Sequence, residues 1–319
     1  MKGLHIIFDG NNTAYRANVI TELFTKQGFR TSAISGTLNI VHSTVGFLNK
    51  SLELPVKEII FAWDRGHSSR RTELFPEYKA GRTQEQTPED KQWLKEFYDQ
   101  IDILHQNLPL LGIKSFMKGG WEGDDIIFGI SEQLAKNNSE DITIIVSTDE
   151  DFHQLITPRI HVFSPIKKIL YTYINYEDLT GLRLENFLAY KILRGDSSDG
   201  IPGIYGIGEV TAKSILRKYG GLKGLMANKE KLMKSKRTAK IFTEEGMRIL
   251  DRNNQLINLK EYVDTTPINA EIIELLEDEP VLNSKAVREF LTTYQLVSIL
   301  TKFKDWSYLF EETVNNFYK

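Results

Sequence analysis

The stretch that decides the fold is LHIIFDGNN, residues 4–12. A mainly apolar run stops at Asp9 and passes into Gly10, Asn11 and Asn12. It is too short for a membrane span or a signal peptide, and it reads as a buried first strand. Two further stretches share its form. EIIFAW, residues 58–63, follows Val56 and runs into Asp64. ITIIVS, residues 142–147, runs into Thr148 and Asp149. A fourth apolar stretch covers residues 160–163. Short, nearly continuous apolar runs are expected of strands covered on both faces.

Between these strands lie segments of helical periodicity at residues 35–54, 90–104 and 124–136, with Pro88 in a helix-start position. Strands alternating with helices predict an α/β fold, with a mostly parallel central sheet and helices on both faces. Ligands of open parallel sheets bind beyond the carboxyl ends of the strands. Asp9, Asp64 and Asp149 all fall at such ends. After about residue 180 the chain reads as mostly helical, at 184–193, 210–219, 243–256 and 285–300. No clean linker or internal repeat interrupts it. The expected division is an α/β core at 1–180, a helical region at 181–265, and a C-terminal helical extension at 266–319 packed on the body.

Composition narrows the chemistry. The chain has 319 residues, 41% of them hydrophobic and 26% charged, which is globular. It has no cysteine, so disulfides, thiolate zinc sites and cysteine nucleophiles are excluded, and a reducing cytoplasm suits it. There is no Walker loop, no HExxH and no histidine cluster. His5 and His42 read as packing residues, while His67 and His153 flank the acidic clusters.

Nine acids stand out: Asp9, Asp64, Glu122, Asp124, Asp125, Asp149, Asp151, Asp196 and Asp199. Glu122 and Asp125 are three apart beside a helix start, so they share a face. Asp149 and Asp151 flank Glu150, and Asp196 and Asp199 lie in the turn GDSSDG. Carboxylates gathered in one place repel each other unless cations lie among them. Mg²⁺, or Mn²⁺ in its place, prefers all-oxygen shells. Two such ions about 4 Å apart can activate water and stabilise a leaving oxygen. The plain alternative for any one of these aspartates is a helix cap or a solvated loop. With nine acids set aside, the net charge of -3 becomes +6 for the rest of the chain, so a mildly acidic total does not exclude nucleic acid.

Directly after Asp64 comes RGHSSRRTELFPEYKAGR, residues 65–82. Arg65, Arg70, Arg71, Lys79 and Arg82 stand there against Glu73 and Glu77, with Phe75 and Tyr78 interleaved. Such a stretch can hold phosphates and stack bases. Residues 201–219, IPGIYGIGEVTAKSILRKY, read as a tight turn between helices. Gly203, Gly206 and Gly208 allow close backbone approach, and Thr211, Lys213, Arg217 and Lys218 follow on the helix.

Together these residues resemble the 5′ nuclease, or flap endonuclease, family over about residues 4–265. The likeness is closest to free-standing bacteriophage 5′-exonucleases of the phage RNase H type and to the 5′-exonuclease domains of bacterial DNA polymerases. It implies a PIN-like 5′ nuclease fold with a helical arch at about residues 66–105 and a helix–hairpin–helix at about 201–218. By this resemblance all nine acids are metal-site residues serving two Mg²⁺ ions. Asp9, Asp64, Glu122, Asp124 and Asp125 take the tighter ion. Asp149, Asp151 and Asp199 take the second, with Asp196 partly in its outer shell. FPEYKAGR matches the arch, so Lys79 and Arg82 act on the scissile phosphate, and Arg65, Arg70, Arg71 and Tyr78 contact the strand. Gly203, Gly206, Gly208, Thr211, Lys213 and Arg217 hold the downstream duplex, with K⁺ at the hairpin. RNNQLINL, residues 252–259, resembles the family's structural segment after that element.

The implied activity is two-metal hydrolysis near 5′ ends of DNA flaps, nicked or gapped duplexes and RNA–DNA hybrids, with a role in primer removal. The expected protein is a monomeric, cytoplasmic, stand-alone nuclease, because the length after residue 265 is too short for a polymerase. No membrane is involved. Three other readings stay open: a PIN-type single-strand ribonuclease, a nonenzymatic structure-specific DNA binder, and a phosphatase or other small-phosphoester hydrolase. The acidic segment 268–285, with Glu271, Glu274, Glu277, Asp278 and Glu279, reads as a solubilising face or a contact for a single-strand DNA-binding protein.

Overall fold

The computed structural model describes residues 2–66, 68–82, 87–136 and 140–318. Strands β1 (Leu4–Asp9), β2 (Val56–Trp63), β3 (Lys114–Met117), β4 (Ile142–Val146), β5 (Ile160–Ser164) and β6 (Ile169–Tyr171) form one sheet in the order β3-β2-β1-β4-β5-β6. The first five are parallel, and β6 pairs antiparallel with β5. The chain order reverses about β1, so β1 and its neighbours β2 and β4 flank the switch point where such sheets bind ligands.

Side-chain alternation divides the core into two layers. Leu4, Ile6 and Phe8 of β1 face one side, with Phe61 and Trp63 of β2. That side is covered by α2 (Ser32–Leu52), by the inner face of α4 (Pro88–Asn107), and by Trp306 and Phe310 of the helix Phe303–Phe317. Ile7, Ile60 and Ile145 face the other side, against α5 (Gly123–Lys136) and the helical C-terminal half. Phe8 stacks on Phe61 at 4.9 Å between ring centroids, which ties the two central strands just below the carboxyl edge.

The strand ends lead straight into helices. α1 (Gly10–Ile20) starts at once after Asp9, whose side chain caps it by accepting from the Asn12 amide at 3.1 Å. Gly10 is required there, since a Cβ would lie 2.5 Å from the Trp63 ring. α3 (Ser69–Leu74) lies within the basic stretch, and α4 follows it. α4 opens with Pro88 in its first turn and a capping box between Thr87 and Asp90. α6 (Tyr176–Thr180), α7 (Phe187–Arg194) and α8 (Glu209–Tyr219) follow the sheet.

One expectation needs correction, and the structure adds two points. The segment read as one helix at 285–300 is two, Ser284–Thr293 and Val297–Leu300, with Gln295 between them at φ 55°. β3, β6 and α1 were not expected from the pattern. His153 does not touch the acidic cleft, because it is buried against Tyr171, Tyr176 and Phe187. Burial, with Lys167 and Lys191 nearby, pushes its pKa down to about 3, so it is a neutral core residue. His5 and His42 do pack, the first between Glu58 and Asp141 and the second on Trp306. His67 lies outside the described residues. Among the described residues, no helix is long and apolar enough to cross a membrane.

Candidate active site

The carboxyl edge of the sheet collects the acids, and short hydrogen bonds fix them. Asp9 ends β1, accepting from the Asn12 amide through Oδ1 and from the Ser147 hydroxyl through Oδ2 at 2.7 Å. The Asp149 amide donates to that same hydroxyl at 3.0 Å, so Ser147 joins the ends of β1 and β4. Asp149 caps the turn Glu150–Leu155 by accepting from the Asp151 amide at 2.8 Å. Asp64 accepts from the Gly123 amide at 2.5 Å, while its own amide donates to Asn11 at 3.1 Å. The strand-end acids are therefore helix caps and cleft residues at once, and the two readings of them are compatible.

Their electrostatics show that they share a space. Burial raises the Asp9 pKa to about 7, and Asp64 and Asp149 add to the rise against the Ser147 and Asn12 hydrogen bonds. Burial and then Asp149 hold Asp124 well above the carboxylate range, with Asp64 and Asp9 adding to it. Asp9, Asp64, Asp124 and Asp149 therefore repel one another across one cleft.

The remaining acids hold internal cations. Arg71 Nη1 donates to Glu122 and to Asp125, each at 3.0 Å, and Nη2 donates to Asp125 at 2.7 Å. The Tyr78 hydroxyl donates to Glu122 at 2.9 Å, and Lys79 Nζ does so at 3.0 Å while lying 3.9 Å from Asp199. Burial alone would raise the Glu122 pKa, but Lys79 and Arg71 outweigh it and hold it low. On the other flank, Lys191 Nζ lies 2.5 Å from both Asp151 and Asp196. Asp196 also accepts from the Ser198 amide and hydroxyl. Burial opposes its ionisation, yet Lys191 and Ser198 bring its pKa down to about 2. Asp151 is instead raised to about 7, by burial and Asp149, against the pull of Lys191.

Asp124, Asp151 and Asp199 line a narrow cleft with Arg71 and Tyr78. An all-oxygen donor set, raised carboxyl pKa values and mutual repulsion fit hard divalent cations and not soft ones. Among the described residues, no three acidic or histidine side chains already stand at coordinating distance around one point.

Several basic residues sit differently from their expected places. Arg71 and Tyr78, read as strand contacts, are 3% and 6% exposed and turned onto the carboxylates. Arg70 Nη1 donates to the Gln255 carbonyl at 2.7 Å, and Arg71 Nε to that of Leu256 at 3.2 Å, so α3 is latched to the end of the helix Glu244–Ile257. Arg65 is half-exposed and paired with Asp102 of α4 at 2.8 Å. Lys79 has φ 55°, a strained backbone for a lysine, directly beside the site. The side chain of Arg82 lies outside the described residues.

The glycine-rich turn lies between α7 and α8. Gly206, at φ 86°, and Gly208, which leads into α8, are exposed and open to close approach. Gly203 serves packing, since a Cβ there would collide with the Arg194 carbonyl. Lys213 donates to the Thr180 carbonyl, Arg217 to that of Gly181, and Thr211 accepts from Arg237. Asn253, fully buried, donates to the carbonyls of Ile192 and Pro202, which anchors the 252–259 segment beneath the turn. Sequence reading missed Asn11, Asn12, Ser147, Ser198 and Lys191. Only the run of small polar residues just after each strand pointed to the first three.

Comparisons with known proteins give the family of the chain. Residues 4–181 match the family described as 5′-3′ exonuclease, N-terminal resolvase-like domain, and residues 182–279 match 5′-3′ exonuclease, C-terminal SAM fold. The chain is 32% identical over 232 residues to the thermostable DNA polymerase I of Thermus aquaticus, covering 72% of this chain and 26% of that protein. It is 29% identical over 304 residues to a 5′-3′ exonuclease of Buchnera aphidicola, covering 93% of this chain and 95% of that one. It spans about a quarter to a third of the length of the polymerase I relatives it matches. Among solved structures, it is similar to the T5 D15 protein co-crystallised with metal ions (TM-score 0.67, 24% identity, 86% of this chain and 100% of that one). The catalytic core of Rad2 in complex with DNA substrate is more distant (TM-score 0.50, 17% identity, 92% of this chain and 87% of that one).

Proposed function

As the chain belongs to the 5′-3′ exonuclease family, we propose that it hydrolyses phosphodiesters near 5′ ends, as a structure-specific exonuclease and flap endonuclease. Its substrates are DNA flaps, nicked or gapped duplexes and RNA primers on DNA. One observation carries this reading: Asp9, Asp64 and Asp149 close the adjacent parallel strands β1, β2 and β4 at one edge of the sheet, where the Gly123 amide next to Asp124 donates to Asp64, beside the buried cations Arg71 and Lys79. We read that acid-ringed sheet as PIN-like.

Asp9, Asp64, Asp124 and Asp149, flanked by Asp151 and Asp199, would hold Mg²⁺ or Mn²⁺, two ions in the full site. When bound, such ions acidify water and neutralise charge on the leaving oxygen. The protein's own groups do the rest. The Ser147 hydroxyl and the Gly123 amide fix the orientation of the Asp9 and Asp64 carboxylates, and Asn11 accepts from the Asp64 backbone amide. Lys79 is held near the acids by Glu122 and stays protonated, because the surrounding acids outweigh its burial. Its ammonium can therefore stabilise charge on a phosphate that enters between α3 and α4. The exposed Gly206 and Gly208 offer an approach for a duplex backbone, with K⁺ as a candidate cation at that turn. Phosphate contacts dominate such binding, so affinity falls with salt and base preference is weak.

The test is cleavage of end-labelled 5′-flap DNA, blunt duplex and RNA–DNA hybrid, in Mg²⁺ and in EDTA. Short 5′ products or excised flaps, formed only in Mg²⁺, are expected. Cleavage that persists in EDTA, or that starts from 3′ ends, refutes the proposal.

A further inference from the structure

Lys191 lies on α7, in the apolar run FLAYKILR, and is 4% exposed. Its ammonium is 2.5 Å from Asp151 Oδ1 and 2.5 Å from Asp196 Oδ2. The two carboxylates are held unequally. Asp196 is fixed by Ser198 and lies outside the cleft lining, whereas Asp151 lines the cleft with Asp124 and Asp199. Asp151 thus turns toward Lys191 on one side and toward the acids on the other.

We propose that Lys191 is a positioning residue that acts as a resident cation: it bridges Asp151 to Asp196 and limits how tightly a second divalent ion binds between Asp149 and Asp151. The inference rests on the two-ion reading above. An ammonium has three donors and no acceptor, so it can satisfy carboxylates but cannot join an ion's shell. An ion drawing on Asp151 must share that carboxylate with Lys191 or displace it. Lys191 also sets the local charge. Asp149, Asp151 and Asp196 with Lys191 present a net charge that one divalent ion neutralises, and without Lys191 one negative charge is left over. The lysine therefore keeps the flank intact without an ion and keeps the second ion exchangeable.

The experiment is calorimetric titration of Mn²⁺ alone into the DNA-free full chain, for wild type, Lys191→Met and Lys191→Arg. Wild type is expected to take up two ions. In Lys191→Met the weaker ion should bind about tenfold more tightly, about 1.4 kcal/mol. Lys191→Arg, which keeps the charge, should stay near wild type. Thermal unfolding supplies a second readout. Lys191→Met should lose stability in EDTA and regain it in saturating Mn²⁺, whereas a residue needed only for packing would lose the same in both. If Lys191→Met does not fold in EDTA, the comparison is made between Asp196→Asn and Asp196→Asn/Lys191→Met, where no Asp196 charge is left uncompensated. The double variant should again bind the weaker ion more tightly. Two ions in wild type with unchanged or weaker binding on loss of Lys191 would overturn this inference alone. No Mn²⁺ uptake by wild type would overturn the two-ion reading as well.

Discussion

Replacing Arg71 with alanine isolates the contribution of the arginine that latches α3 onto the site. The guanidinium is 3% exposed and makes charged hydrogen bonds to Glu122 and Asp125 at 2.7–3.0 Å, plus one to the Leu256 carbonyl. Removing one partner of a buried ion pair costs about 3–5 kcal/mol, because the other is left buried and unpaired. The Leu256 carbonyl adds a smaller loss, about 1 kcal/mol. Lys79 and Tyr78 stay on Glu122, which softens the effect there. These terms are not additive, and a destabilisation of about 4 kcal/mol at pH 7 is expected. The substitution Arg71→Lys keeps the charge without the planar fork, so it should cost about half as much. Urea unfolding followed by circular dichroism measures both. The pH dependence gives an internal check. Lys79 and Arg71 hold the folded-state Glu122 pKa below its ordinary 4.5 against its burial. Its stabilising contribution is therefore complete above 4.5 and is lost as pH falls through the folded value. The gap between wild type and Arg71→Ala should narrow over that range. A gap under about 1 kcal/mol at pH 7, or one that does not narrow in acid, would refute the clamp.

Three further outcomes are expected. Asp149→Asn should cut Mg²⁺-dependent cleavage by about 100-fold or more, beyond the usual loss from an outer-shell change; flap binding measured in Ca²⁺ should hold, and comparable cleavage by wild type and variant would reject its metal role. Lys79→Ala should lower single-turnover cleavage by about 10²–10³-fold, as for loss of one transition-state donor; an effect confined to flap affinity would make it a backbone contact. At the opposite end of the sheet, burial would raise Glu58 and Asp141, but His5 and Lys114 hold Glu58 low, and Lys57, the Gly3 amide and His5 hold Asp141 low. Their stabilisation is present above the ordinary carboxylate range and lost as pH falls through the depressed values. Glu58→Gln should thus destabilise by about 3 kcal/mol at pH 7 and flatten the acid limb of a thermal-melt series; an unchanged acid limb would count against it.

What could be read from the sequence follows from how each element is built. β1, β2 and β4 are covered on both faces, so their apolar runs are continuous and their closing acids are conspicuous. β3 is only KSFM, and its buried Lys114 is accommodated by Glu58 and the Leu276 carbonyl, partners more than 50 residues away along the chain. Local hydropathy cannot signal a strand made acceptable by such distant pairing. α1 was hidden for a related reason. Its buried face includes Thr13 and Asn18, and Asn18 is matched there by Arg30. The break at Gln295 has no glycine or proline to announce it.

The acids were legible one by one, but their division was not, because that depends on which cations the fold brings to them. Glu122 and Asp125 look equivalent to Asp124 in WEGDD. In the fold, a helix turn sends Asp125 to Arg71 and leaves Asp124 facing Asp9, Asp64 and Asp149. Lys191 looks like an interruption of an apolar helix, yet it reaches two carboxylates at 2.5 Å. The distinction has a physical consequence for a chain of net charge -3. Acids neutralised from within strengthen the folded state and are ionised without help. Acids set against each other raise its free energy until a proton or a metal ion arrives, which is the condition a metal-dependent site must meet to bind its ions tightly. The same edge of the sheet therefore needs both kinds: Arg71 and Lys191 hold its flanks rigid, and the repulsion left between them runs through Asp9, Asp64, Asp124, Asp149 and Asp151, where an ion can relieve it.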